Sequence, residues 1–183
     1  RASVPMAVAS RRATTRRVAV LFDQSGNDRY LAAADGADPS AATLGYGVLW
    51  DSGGDDLHEG AHLAQAAAVL GAALLVDGGG ADAFEALGHA QGHAFGGLAL
   101  LLAGDRDSRY RAVTHAQASA GPEGAAALID RGGNDHYTLA GSPLARPSPQ
   151  LPSANTSMGQ GAGRGLRPSA TQPSGAAGGI GTL

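Results

Sequence analysis

The chain has no cysteine and no lysine among its 183 residues. Without thiols there can be no disulfide framework, no Cys-ligated zinc and no cysteine nucleophile. All 13 basic residues are Arg, which reads as coding bias without chemical content. No apolar run approaches the ~20 residues that cross a bilayer as a helix. No Gly-x-Ser-x-Gly elbow is present, so Ser-His-Asp catalysis has no support. The glycines recur as turns with no helix behind them, which removes phosphate-loop and dinucleotide readings.

Charge is segregated along the chain. Residues 1–22 carry five Arg and no acid, residues 23–140 carry all 16 acids against five Arg, and residues 141–183 carry three Arg and no acid. The acidic middle is a poor surface for nucleic acid, and none is expected as a partner. Residues 1–16, with Arg11, Arg12 and Arg16, read as a flexible basic lead-in.

What is present is a repeat. The segments RVAVLFDQSGNDRY (17–30), GYGVLWDSGGDDLH (45–58), GAALLVDGGGADAF (71–84), GLALLLAGDRDSRY (97–110) and AAALIDRGGNDHY (125–137) share one pattern. With the Asp after the apolar run as marker, copies fall at Asp23, Asp51, Asp77, Ala103 and Asp130, at intervals of 28, 26, 26 and 27 residues. A near-constant period of this length signals stacked units. The three residues before each marker are apolar and the middle one is always Leu. A short apolar run ending in a Gly-rich turn reads as a strand buried on at least one face. Five residues after the marker stands a second acid (Asp28, Asp56, Asp82, Asp135, with Ser108 in the fourth copy). Two further on comes a ring: Tyr30, His58, Phe84, Tyr110 and Tyr137. In stacked coils these rings would cover one another. Ala64-Gln65, Ala90-Gln91 and Ala116-Gln117 share an offset, and Gly159-Gln160 looks like a displaced member. A ladder of Gln amides bonded from coil to coil is the expectation there. The first copy has Asp38-Pro39-Ser40 instead, as a capping coil would.

The Ala-rich stretch 61–76 would pass as a helix in isolation, but its counterparts 88–97 and 114–124 are broken by Gly and Pro. Equivalent units therefore favour extended coil over a helix-containing repeat. The fold expected is an all-β parallel solenoid of about five coils, right-handed, over residues 17–140. Six of the nine prolines lie between Pro143 and Pro173, so 141–177 reads as a Pro/Gly/Ser-rich insertion or linker. Residues 178–183 read as the start of a possible further repeat.

The turn Asp-x-x-Gly-x-Asp-x-Tyr, at Asp23–Tyr30 and Asp130–Tyr137, resembles the RTX (haemolysin-type) calcium-binding repeats. The matching positions are Gly26, Asp28, Gly54, Asp56, Gly80, Asp82, Gly133 and Asp135. The resemblance implies a parallel β-roll, calcium held in the turns, and export from the cell. One turn per 26–28 residues departs from that family's period of nine.

Electrostatics raises the same question independently. Ionised Asp residues stacked ~4.8 Å apart repel by ~1 kcal/mol per pair in water and ~3–4 kcal/mol at an effective dielectric of 20. A divalent cation with oxygen ligands would relieve this, and Ca²⁺ tolerates irregular carboxylate sites. The candidate ligands are Asp23, Asp28, Asp51, Asp56, Asp77, Asp82, Asp130 and Asp135. The alternative is that each first Asp caps its own turn. His89 and His115 share an offset, and with His62, His93 or a carboxylate could form a transition-metal site or a general acid–base pair. The functional expectation is a structural or interaction module of an exported or surface protein, with a protein or glycan partner. The alternative is a carbohydrate-active enzyme on the same scaffold, using Asp55, Asp56, Asp105 and Asp107 with Arg106, Arg109 and Arg111.

Overall fold

In a computed structural model, residues 17–140, 152–153, 159–164 and 179–183 are described. The lead-in 1–16 and most of the 141–177 insertion lie outside them. Among the described residues there are strands and no helix, so the Ala-rich stretch 61–76 is extended.

The strands, numbered in chain order, form three parallel sheets. Sheet A runs β1 (Arg17–Phe22), β4 (Gly45–Asp51), β7 (Ala72–Asp77), β10 (Leu98–Ala103), β13 (Ala125–Asp130) and β15 (Ile180–Thr182). Sheet B runs β2 (Arg29–Ala32), β5 (Leu57–Ala64), β8 (Ala83–Ala90), β11 (Arg109–Ala112) and β14 (His136–Leu139). Sheet C runs β3 (Ala42–Thr43), β6 (Ala67–Val69), β9 (His93–Phe95) and β12 (Ser119–Ala120). One repeat therefore makes one three-sided coil, and the chain is a parallel β-solenoid of about five turns. The third side of the fifth coil comes from within the 141–177 segment, where Gly159 and Gly163 bridge to Ala116 and Ala120, so that part of the expected insertion belongs to the stack. The β-roll implied by the RTX resemblance gives way to three sheets, because a 26-residue period supplies a third strand and a third corner.

The apolar runs alternate. Within sheet A, Leu49, Leu75, Leu101 and Leu128 point inward in one column and are fully buried. The small residues Gly47, Ala73, Ala99 and Ala126 form the next inward column. The outward positions are equally apolar: Val18, Tyr46, Ala72, Leu98, Ala125 and Ile180 lie in register along one row. Sheet B differs, with Arg29, Glu59, Glu85, Arg109 and Arg111 on its outward positions.

The corners have different solutions. At the A-to-B turn, a Cβ on Gly80 would sit 1.4 Å from the Gly54 carbonyl oxygen, and its φ is +142°. Only glycine fits there. At the B-to-C corner, Gln65, Gln91, Gln117 and Gln160 all adopt φ between 52° and 56°. Non-glycine residues in this region cost about 1–2 kcal/mol each, so the corner needs compensation from its side chains.

Candidate functional site

The corner glutamines supply that compensation. Gln65, Gln91 and Gln117 are fully buried, and the Nε2 of each donates to two carbonyls, one on its own coil and one on the next. Gln65 donates to His58 O and Glu85 O at 2.9 Å each. Gln91 reaches Phe84 O and Arg111 O, and Gln117 reaches Tyr110 O and Thr138 O. The expected amide-to-amide ladder is thus replaced by amide-to-backbone bridges. In the first coil, Asp38 and Ser40 take over: Asp38 Oδ2 accepts Gln65 N–H and Ser40 Oγ accepts Ala66 N–H.

The rings stack as the period requires. Centroid separations along Tyr30, His58, Phe84, Tyr110 and Tyr137 are 4.7, 4.6, 4.9 and 4.6 Å, with planes within 15° of parallel. Asp51 and Asp130 each have two jobs, and Asp77 does only the second of them. Asp51 Oδ1 accepts the Gly53 N–H at 2.8 Å, and Asp130 Oδ1 accepts the Gly132 N–H, so both cap their own turns. The second oxygen reaches the ring of the preceding coil. Tyr30 O–H donates to Asp51 Oδ2, His58 Nε2 lies 3.1 Å from Asp77 Oδ2, and Tyr110 O–H donates to Asp130 Oδ2 at 2.7 Å. Burial, followed by these carboxylates, pushes the Tyr30 and Tyr110 hydroxyls far above the ordinary phenol range.

This pairing explains the irregular fourth copy. Phe84 has no donor, and the residue that would meet it is Ala103 rather than Asp. A carboxylate there would be buried without a partner. The complementarity of Tyr or His with Asp, and of Phe with Ala, is a signal within the sequence itself.

The second acids tie coil to coil. Asp56 Oδ1 accepts the Asp28 N–H at 2.6 Å, Asp82 Oδ1 accepts the Asp56 N–H at 2.9 Å, and Asp135 Oδ1 accepts the Ser108 N–H at 2.9 Å. Ser108 fills the same role toward Asp82 with its hydroxyl. Two groups of carboxylates result: Asp28, Asp51 and Asp56, then Asp56, Asp77 and Asp82, each offering one oxygen within 4.8 Å of the others. In the second group the residues are only 3%, 0% and 2% exposed. Asp56 Oδ2, Asp77 Oδ1 and Asp82 Oδ2 are buried there without a hydrogen-bond partner. Burial, opposed by backbone hydrogen bonds and reinforced by the neighbouring acids, pushes Asp56 and Asp82 up to about 7. Such a cluster requires either protons or a cation, and its all-oxygen donor set suits Ca²⁺. Asp23, Asp130 and Asp135, also nominated as ligands, join neither group.

The histidines gather at the B-to-C corner. His89 stacks on His115 at 4.7 Å, His93 meets His89 edge-on at 4.9 Å, and His62 lies 5.8 Å from His89. His93 shares a 2.7 Å hydrogen bond with Ser119 and is pushed down to about 3 by burial and by His89 and His115. Among the described residues the three-ligand groups are all carboxylates, and no His joins one. The sequence His58-Glu59-Gly60-Ala61-His62 also has the H-E-x-x-H spacing of helical zinc sites. On strand β5 that spacing separates the two residues by ~13 Å. His58 serves the ring column and His62 the corner.

Of the acids considered for glycan cleavage, Asp55 accepts the Ala81 N–H and Asp107 the Asn134 N–H, which makes them turn ties. An open groove of about 480 Å³ lies elsewhere, on the outer face of sheet B, with Glu59, Glu85 and Arg111 in its lining. Among the described residues, no helix is long and apolar enough to cross a membrane. No protein-family model matches the chain, and neither a curated protein nor a solved structure is similar to it, so its function rests on these residues alone.

Proposed function

We propose that the chain is a structural and interaction repeat module of an exported or surface protein, with its acidic coils locked together by Ca²⁺. The observation that carries this reading is the buried group Asp56, Asp77 and Asp82, each with a carboxylate oxygen that meets no donor. Asp28 and Asp51 extend it toward the first coil through the shared Asp56. A divalent ion there would cancel the mutual repulsion and bind consecutive coils. An affinity in the range of extracellular calcium modules, about 10⁻⁴–10⁻³ M, would support that location. The test is calorimetric Ca²⁺ titration of the chelator-treated chain, with thermal melting in parallel. Saturable binding that raises the melting temperature and disappears in Asp56→Asn is expected. No heat and an unchanged melt would mean that protons neutralise the cluster and that the module stands without metal.

A second reading, a carbohydrate-active enzyme, draws on the groove of sheet B, where Glu59 and Glu85 are ladder neighbours. Arg29 forks onto Glu59 through two nitrogens, which engages that carboxylate. Glycan cleavage that is lost in Glu85→Gln would establish it; no cleavage across a polysaccharide panel would remove it.

A further inference from the structure

The outward face of sheet A has no charged side chain on any of its three rows. One row was given above; the second runs Val20, Val48, Leu74, Leu100, Ala127 and Thr182, and the third Phe22, Trp50, Val76, Leu102 and Ile129. Apolar residues on both faces of a parallel strand are the mark of a sheet covered on both sides. Among the described residues nothing covers this one: Phe22 is 69% exposed, Trp50 43%, Leu98 56% and Ile180 70%.

We propose that this face is the interface between two copies of the chain, packed sheet on sheet about a two-fold axis along the strands, between β7 and β10. Three observations support a second copy as the occupant. The first is area. Eight large side chains of the face are exposed; at on the order of 100 Å² each they offer on the order of 800 Å², the share one partner of a stable pair buries. The second is charge. Residues 23–140 carry 16 acids against five Arg, so copies meeting elsewhere would set acid against acid, whereas this face brings none. Uniformly apolar faces are also typical of homodimers rather than of transient partners. The third is fit. The stated axis reverses the order of the coils and keeps each row opposite itself. Tyr46 then faces Ala125, Leu98 faces Ala72, and Val48 faces Ala127, so at these places a large residue meets a small one, while Leu74 faces Leu100 and Trp50 faces Ile129 as apolar pairs. An axis along the stack would instead set Tyr46 against Trp50. Isologous contacts need this self-complementarity, and aligned sheets pack ~10 Å apart.

The test is sedimentation equilibrium of the full chain, whose mass is 18.1 kDa. The expected result is a dimer that Leu98→Glu dissociates, with the dissociation constant raised about 100-fold or more. Leu98 points outward, and an unchanged circular dichroism spectrum of the variant separates loss of the dimer from loss of the fold. Trp50, the chain's one tryptophan, should become more quenchable by acrylamide in the variant. Because there is no native cysteine, a short bis-maleimide should join copies of Tyr46→Cys/Ala125→Cys and leave Tyr46→Cys alone unjoined. A monomeric parent chain would overturn the proposal; if its Trp50 were nevertheless shielded, another segment of the chain would be the cover. A dimer indifferent to Leu98→Glu would overturn it as well. Efficient joining of Tyr46→Cys to itself would overturn the proposed axis.

Discussion

The step from the second coil to the third and the step from the third to the fourth use the same backbone with opposite chemistry. In the former, His58 meets Asp77, and Asp56 and Asp82 crowd behind it with unpartnered oxygens. In the latter, Phe84 stacks on Tyr110 at 4.9 Å, and Ala103 and Ser108 stand where acids would be. Both steps keep the Leu column, the ring stack and the Gln bridges. The fold therefore does not need the acids. They are an added layer, affordable only where a ring with a donor, a backbone N–H or a counter-ion meets them.

Transplanting the acid should have the largest effect. Ala103→Asp places a carboxylate at a fully buried position beside Phe84, and should cost about 3–5 kcal/mol in denaturant unfolding. Adding Phe84→Tyr supplies the missing donor and should recover at least half; a cycle without coupling would refute the pairing rule. His58→Phe should cost about 3 kcal/mol by leaving Asp77 without its donor. The double change His58→Phe/Asp77→Ala copies the neutral step and should return to within about 1 kcal/mol of the parent. Gln65→Ala, Gln91→Ala and Gln117→Ala each orphan two carbonyls and should each cost about 2 kcal/mol. Equal costs along the stack would sharpen the comparison by confining the difference to the ring and acid columns.

The smallest effect is one of pH. Asp56 and Asp82 have folded values raised from 3.8 to about 7, so the folded chain binds the extra protons. Their contribution is fully present below pH ~4 and is lost as pH rises through 7, by about 1–2 kcal/mol once coupling is allowed for. Thermal melts of the chelated chain should show this decline, and Asp56→Asn/Asp82→Asn should flatten it. The difference between parent and variant cancels the opposite trend from His93, which is held neutral and disfavours folding as pH falls below 6.5.

Much of the molecule was readable in advance because like residues recur at one interval. The marker runs, the Leu column and the ring column follow directly from superposing coils at ~4.8 Å. The Phe84–Ala103 exchange was also visible in the sequence, but it becomes meaningful only when a marker Asp is known to reach back to the preceding coil's ring, some 20 residues earlier. Likewise, the glutamines were recognised as a column while their partners were not, because a Gln side chain has several acceptors within reach and the corner geometry chooses among them.

The sequence by itself determined the solenoid, since a chain that repeats its apolar pattern every 26–28 residues can bury it only by stacking. Tertiary structure alone decided which acids converge, that four histidines gather at one corner, and that one sheet faces outward with an uncharged surface. The reason is physical: the period fixes which residues lie above one another, but the left-handed corner residues set the angle between sheets, and that angle decides what each side chain faces.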